Sequence, residues 1–278
     1  MRIHLRATTA VVAFLTLTLT GCTPANPPST GAEHSTNALH VHGIVSDPQG
    51  TGFLLGTHGG IYRASAEGEL GRRVGGNDFD AMGLTRIGDE LIASGHPGSN
   101  TPAELGEQNL GIIRSSDGGA TWEPVAYTGE KDFHALTASP DGDLYGQAAD
   151  SNLLLKSTDL GATWNATSGK PLAFGLAVDA TGRIIATTID GPQFSNDHGA
   201  SFTPLVDAPD IQLISASPSN QRLVGVDSEG AIWTSTADDT RWHGAGTAHG
   251  TPQAIAITDA GEILIADDSG LTLLPVTR

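Results

Sequence analysis

Short apolar runs separated by turn residues recur from residue 40 to the end of the chain. The runs are five or six residues long, as in residues 53–57 (FLLGT) and 222–226 (RLVGV). This length, together with a tendency for apolar and polar positions to alternate, is typical of β-strands. The 36 glycines and 15 prolines are spread along the 278 residues, so turns recur throughout. The pattern predicts an all-β fold of short antiparallel strands.

An eight-residue motif of the form S-x-D-x-G-x-T-W divides this region into units. Residues 115–122 (SSDGGATW) and 157–164 (STDLGATW) are complete copies, residues 195–202 (SNDHGASF) end in Ser and Phe, and residues 235–242 keep only the Ser and the Trp. The aromatic positions are 42, 38 and 40 residues apart. A period of about 40 residues made of short strands is typical of a β-propeller, in which each unit is one four-stranded blade.

The strands that precede each motif align into six units, so the sequence predicts a six-bladed β-propeller over residues 39–278. At one aligned position the innermost strands carry His42, Met82, His134, Phe174, Gln212 and Gln253. The sixth unit has room for only three strands before Arg278. We expect residues just before His40 to supply its fourth strand and so to close the ring.

Each part of the motif has a mechanical role in a tight turn. The Asp accepts hydrogen bonds from its own turn, the Gly allows a left-handed backbone, and the Trp fills the gap beneath the hairpin. The motif resembles the Asp-box (BNR) repeat, a family best known from sialidases and also found in sugar-binding and non-enzymatic propellers. The resemblance implies that the box lies away from any active site. We therefore expect Asp117, Asp159 and Asp197 to be structural.

The first 22 residues have the layout of an export signal. Two arginines, Arg2 and Arg6, precede an apolar run over residues 7–19, and the sequence Leu-Thr-Gly-Cys that ends at Cys22 resembles the bacterial lipobox. The run is shorter than the about 20 residues that span a bilayer, which favours cleavage over a membrane anchor. We expect a signal peptide over 1–21, lipidation of Cys22, a flexible tether over 22–38 and an extracytoplasmic, membrane-anchored protein.

Charge and composition exclude several function classes. The chain has 14 Lys and Arg against 31 Asp and Glu, a net charge of −17, which argues against nucleic acid and favours cationic partners. Its single cysteine permits no internal disulfide. The sequence also lacks a G-x-S-x-G elbow, a P-loop and a paired-cysteine zinc motif.

Six potential metal ligands fall on one face of the predicted propeller. In an antiparallel blade, the start of the first strand and the end of the second lie on the same face, opposite the Asp boxes. The first strands of units one to three begin with His40, His42, Met82 and His134, and the second strands end with His58 and His96. Imidazole and thioether groups suit a transition metal, copper or zinc. The sequence predicts a site for a metal or small ligand here; the alternative is that these residues only satisfy loop carbonyls and pack.

Two other functions remain open at this point. The second strands of units three to six end near Asp150, Asp190, Asp227 and Asp267. Two such carboxylates across a glycosidic bond would serve a glycoside hydrolase, although the dispersed arginines form no triad of the kind that sialidases use. The remaining alternative is a non-enzymatic propeller that binds another protein or a wall polymer. The insertion over residues 97–109 lies on the same face and is either a lid or a surface loop.

Overall fold

The computed structural model describes residues 39–239 and 241–275. These residues form 23 short strands in six antiparallel sheets, and a single short 3-10 helix, Ala103–Leu105, lies among them. No helix in these two ranges is long and apolar enough to cross a membrane. The predicted signal peptide, Cys22 and the tether lie outside the described residues.

The first three blades are four-stranded meanders in chain order. Their strands are β1 (Val41–Ser46), β2 (Phe53–Thr57), β3 (Gly60–Ala64) and β4 (Leu70–Arg73); β5 (Asp80–Ile87), β6 (Glu90–His96), β7 (Ile112–Ser115) and β8 (Glu123–Ala126); β9 (Phe133–Ala138), β10 (Leu144–Ala148), β11 (Leu155–Ser157) and β12 (Asn165–Ala166).

The last three blades continue the same meander. Their strands are β13 (Gly175–Val178), β14 (Ile184–Thr187), β15 (Gln193–Ser195) and β16 (Thr203–Pro204); β17 (Ile211–Ala216), β18 (Arg222–Asp227), β19 (Ala231–Thr236) and β20 (His243–Thr247); β21 (Pro252–Ile257), β22 (Ile263–Asp267) and β23 (Gly270–Leu274). The prediction of a six-bladed all-β propeller is confirmed. Within the described residues the sixth blade has three strands, and the segment expected to complete it lies outside them.

Contacts between neighbouring first strands close the ring. β1, β5, β9, β13, β17 and β21 each pack against the next, and β21 packs against β1. The backbone N–H of Val41 also donates to Oε1 of Gln253 at 3.0 Å, which joins blade one to blade six. Gln253 is one of the six aligned innermost positions, and its carbonyl oxygen therefore has a structural partner.

Burial of the second strands explains their nearly continuous apolar sequence. Every residue of β2, β10, β14 and β22 is buried, because these strands are covered by neighbouring blades on both faces. Side chains of adjacent blades share the resulting core, as Phe53 and Leu55 of blade one do with Ala256 and Leu264 of blade six. Burial of this apolar surface supplies the main driving force for folding.

The Asp boxes fold as the sequence predicts. Asp117 Oδ1 accepts hydrogen bonds from the Thr121 N–H (2.9 Å) and the Ser115 hydroxyl (2.8 Å), and its Oδ2 accepts one from the Thr121 hydroxyl (2.6 Å). Gly119 has a φ of +90°, and the indole N–H of Trp122 donates to its carbonyl oxygen at 3.0 Å. The same carboxylate bonds recur at Asp159 and Asp197.

A ring of aliphatic side chains fills the middle of the central channel. It comes from the residue two positions after each aligned innermost position, namely Ile44, Leu84, Leu136, Leu176, Ile214 and Ile255. Five of these side chains are buried and Ile214 is partly buried. They separate two cavities of about 100 Å³ each, one at either end of the channel. The box-free face, made of the starts of the first strands and the ends of the second, surrounds one of these cavities.

Candidate functional site

A β-bulge recurs at the start of the innermost strands. The register of β1 against β2 passes from Val41 to Gly43 across one residue of the partner, so His42 is the extra residue. The same shift places Met82, His134, Gln212 and Gln253 in bulges in four other blades. A bulge changes the direction of a side chain without ending the strand pair. The bulged residues His42, Met82 and His134, with Phe174, line the cavity at the box-free end of the channel.

Three histidines of blade one lie together on the rim of this cavity. Their ring centroids are 4.8 Å apart for His40 and His42, 5.1 Å for His40 and His58, and 4.5 Å for His42 and His58. One nitrogen from each ring lies within 4.8 Å of the other two, and His42 Nε2 is 3.3 Å from His58 Nδ1. The side chain of His42 is only 11% exposed, whereas that of His58 is 59% exposed.

Asp80, at the start of blade two, completes this group. Its Oδ1 lies 3.0 Å from His42 Nε2 and its Oδ2 lies 2.9 Å from His58 Nδ1. Oδ1 is buried and makes no hydrogen bond of acceptable geometry with the described residues. The four side chains thus bring three imidazoles and one carboxylate to a single point.

A second group of similar composition lies beside the first. Asp132 Oδ2 is 2.5 Å from His134 Nε2 and 3.4 Å from His96 Nε2. The other ring nitrogen of His96, Nδ1, is 4.0 Å from Asp80 Oδ2. Asp132 is only 8% exposed, and its Oδ1 has no hydrogen-bond partner among the described residues.

The environment sets the protonation of the two innermost histidines in opposite directions. Burial lowers the pKa of His42 to about 4, because it outweighs the attraction of Asp80, and the charges of His58 and His40 lower it further. The hydrogen bond with Asp132 raises the pKa of His134, against the opposing effect of burial. At neutral pH His42 is therefore a neutral imidazole, which is the form that binds metals.

The histidines predicted from the repeat alignment do come together, in two groups instead of one. His40, His42 and His58 form the first group, His96 and His134 belong to the second, and Met82 lines the same cavity. Sequence reasoning missed both carboxylates that accompany them. Asp80 and Asp132 each lie two residues before an aligned innermost position, which is the same offset that relates His40 to His42. This shared offset is the sequence feature from which Asp80 and Asp132 could have been predicted as ligands.

Two of the four predicted rim carboxylates hold nearby turns. Asp267 accepts hydrogen bonds from the backbone N–H groups of residues 249, 250, 269 and 270, and Asp227 accepts from two backbone N–H groups and the Trp233 indole. Asp150 is paired with Lys131 at 2.8 Å, and Asp190 is exposed. Asp227 and Asp267 are therefore committed to turn structure, which weighs against the use of these aspartates as a catalytic pair.

The insertion over residues 97–109 is anchored to the propeller. Asp78 accepts hydrogen bonds from the Asn100 N–H (2.8 Å) and from the Ser99 hydroxyl (2.9 Å). Leu105, in the 3-10 helix, is buried in the core of blade two. Such anchoring favours a fixed surface loop over a lid.

No family model matches the chain, and no curated protein matches it in sequence. Solved structures with a similar fold include a gluconolactonase from Xanthomonas campestris, which is 10% identical over 86% of each chain with a TM-score of 0.60. An auxiliary nutrient binding protein from Bacteroides thetaiotaomicron is 9% identical over 84% of this chain and 69% of that one, with a TM-score of 0.58.

Glycoside hydrolases are also among the similar folds. The GH74 enzyme of Niastella koreensis is 18% identical over 86% of this chain and 36% of its own, with a TM-score of 0.57. The chain spans between 35% and 45% of the length of the GH74 enzymes that it resembles. At these identities the similarity establishes the propeller fold and carries no assignment of activity.

Proposed function

We propose that this protein is an extracytoplasmic lipoprotein whose propeller binds a transition-metal ion, copper or zinc, through His40, His42, His58 and Asp80. One observation carries the metal proposal: three imidazoles and a carboxylate converge on one point of the channel rim. Among the described residues, the polar contacts of the rings of His42 and His58 are with one another and with acidic side chains. Histidines that only hold a loop in place would donate to backbone carbonyls instead.

The spacing of the His42, His58 and Asp80 ligand atoms fits a first-row metal ion, and one nitrogen of His40 lies within 4.8 Å of those of His42 and His58. Metal–nitrogen bonds of about 2.0 Å in a tetrahedral site place neighbouring ligand atoms about 3.3 Å apart. The observed separations are 3.3 Å between His42 Nε2 and His58 Nδ1, and 3.0 and 2.9 Å from these atoms to the Asp80 oxygens. A cation at this point would also balance the Asp80 carboxylate, whose buried Oδ1 makes no hydrogen bond with any residue that the structure describes.

The donor types favour copper and zinc over calcium and magnesium. Imidazole nitrogen is a preferred ligand of copper and zinc, whereas calcium and magnesium prefer an all-oxygen shell. Met82 lines the same cavity as His42 and His134, and a thioether at this place would favour copper in its reduced state. The donor set therefore supports a first-row transition metal with copper and zinc as the two candidates.

Titration of the purified full-length chain, stripped with a chelator, tests the metal site. We expect saturable heats with Cu²⁺ and Zn²⁺ and none with Ca²⁺. At a free metal concentration of 100 times Kd the folded state gains about 2.7 kcal/mol, which for a domain of this size raises Tm by about 5–11 °C. The double variant His42→Ala, His58→Ala should lose both signals.

The matched control is His249→Ala, which removes an exposed histidine that contacts Thr272 and neither group of ligands. This variant should bind metal as the parent chain does. Absence of saturable binding to the parent chain, or binding that survives the double variant, would overturn the metal proposal and assign these histidines a structural role.

The anchor is a separate part of the proposal and needs a separate test. It is supported by the lipobox-like sequence that ends at Cys22, since a lipid-modified cysteine gives stable attachment through several acyl chains. The expressed protein should partition into the detergent phase, and Cys22→Ala should move it to the aqueous phase. Identical partitioning of the two proteins would refute lipidation.

A further inference from the structure

We propose that the box-free face holds a second metal ion, bound by His96, Asp132 and His134 and linked to the first through Asp80. The inference rests on the proposed function for the first ion, while its own ligands form a separate group. Asp132 Oδ2 lies 2.5 Å from His134 Nε2 and 3.4 Å from His96 Nε2. Two imidazoles therefore contact the same carboxylate oxygen, Asp132 Oδ2.

Burial of Asp132 is the independent observation that calls for a cation. This residue is more than nine-tenths buried, and an isolated carboxylate is strongly disfavoured in such surroundings unless it is paired. The two histidines face only its Oδ2, and Oδ1 has no hydrogen-bond partner among the described residues. A metal ion held by Asp132 and the two imidazoles would neutralise this buried carboxylate and give its Oδ1 a partner, which the contact with His134 alone does not do.

The types of ligand, and the strands that hold them, are typical of a metal site. Two histidines and one carboxylate form a three-ligand set that leaves positions open for water or a further ligand, as in sites that hold zinc or iron(II). Phe133, which lies between the ligands Asp132 and His134, donates its N–H to the buried Ser94 hydroxyl at 2.9 Å. This bond joins blades two and three next to Asp132 and His134 and helps to fix where these two ligands lie.

His96 connects the two groups because its two ring nitrogens face different carboxylates. Nε2 faces Asp132 at 3.4 Å and Nδ1 faces Asp80 at 4.0 Å. An ion bound through Nε2 leaves Nδ1 facing Asp80, and because 4.0 Å is longer than a hydrogen bond, the link between the two groups is electrostatic. Asp80 also contacts His42 and His58 of the first group. Occupancy of one site therefore affects the other through a single carboxylate.

Metal content per chain tests the second site. The chelator-stripped full-length protein is dialysed against Zn²⁺, and bound zinc is measured by elemental analysis together with protein concentration. We expect two zinc ions per chain in the parent protein and in the His249→Ala control. Asp132→Asn and His96→Ala should each leave one, and the double variant His42→Ala, His58→Ala should leave the one at the second site. Asp80→Asn should weaken binding at both.

The outcomes separate this inference from the proposed function. One zinc per chain that is lost with His42 and His58 and unaffected by Asp132→Asn overturns the second site and keeps the first. Complete absence of bound zinc overturns both. His96 is 43% exposed, so His96→Ala is expected to fold even if Asp132→Asn does not. The absorption spectrum of the Co²⁺-loaded protein is the second measurement, and removal of the second site should delete one of two sets of ligand-field bands.

Discussion

Replacement of Trp122 by Ala should destabilise the propeller and leave its metal binding intact. Loss of a fully buried Trp costs about 3–5 kcal/mol. Trp122 is only partly buried, against Phe79 at a ring-centroid distance of 5.3 Å, so about 2 kcal/mol is expected from packing. Loss of its hydrogen bond to the Gly119 carbonyl adds about 1 kcal/mol. The sum of about 3 kcal/mol lowers Tm by about 6–12 °C in a domain of this size.

Thermal unfolding of the metal-free protein measures this loss, and zinc content measured at 20 °C below the new Tm shows whether the site survives. Trp122→Phe is the matched control, because it keeps most of the packing and removes the N–H; Phe202 already occupies the equivalent place in the third box. We expect it to lose about 1 kcal/mol, the value of one hydrogen bond. A loss below 1 kcal/mol in Trp122→Ala, or a folded variant without zinc, would refute the assignment of a purely structural role to the box.

Three further changes test other contacts. Hydrogen bonds from Ser201 and Ser195 hold the pKa of Asp197 at about 2. The ionised carboxylate therefore stabilises the fold fully above its unfolded pKa of 3.8, and this stabilisation is lost as the pH falls from about 4 to about 2. Asp197→Asn should flatten that part of a curve of Tm against pH, and an unchanged curve contradicts the assignment. Gln253→Ala removes the partner of the Val41 N–H and should lower the free energy of unfolding, measured with denaturant, by about 1–3 kcal/mol. A change below 0.5 kcal/mol, about the size seen at neutral surface sites, would mean that this bond does not hold the ring closed. In Gly83→Ala the new Cβ would lie 2.4 Å from a backbone carbonyl oxygen of blade three, whereas a Cβ at Gly76 would have nothing within 4 Å. Gly83→Ala should therefore lower Tm and weaken zinc binding, and Gly76→Ala should do neither. Equal behaviour of the two variants would contradict the close packing of blades two and three.

The propeller could be predicted from sequence because each copy of its repeat is recognisable from residues that are close together in the chain. The Asp box needs only Ser115, Asp117, Gly119 and Thr121 to close its own turn, so the motif is visible without knowledge of the rest of the chain. The second strands were also predictable, since burial on both faces demands apolar runs. The run over residues 53–57 coincides with β2, and the run over residues 222–226 is one residue shorter than β18.

The site was only partly predictable because it depends on relations between blades. The repeat alignment brought the six histidine and methionine positions to one face, yet it could not show that His96 and His134 would share Asp132 while His58 shared Asp80. Those pairings depend on how neighbouring blades pack against one another, and an alignment of the repeats carries no information on distances between blades. Similarly, Asp227 and Asp267 occupy the predicted ends of second strands, but their carboxylates turn back to backbone amides.

The recurring bulge has a consequence for how such a propeller acquires new chemistry. At five blades the residue in the bulge is His, Met or Gln, and four of these residues, His42, Met82, His134 and Gln253, line the cavity. Strand pairing on either side continues whatever that residue is, because the bulged position is outside the ladder. Apart from Gln253, whose side chain also binds Val41, a substitution at a bulged position that lines the cavity, such as Met82→His, therefore changes the ligand that is offered while the strand pairing is kept. A protein of this kind can change its specificity one blade at a time, because the buried second strands, and not the bulged residues, supply most of its stability.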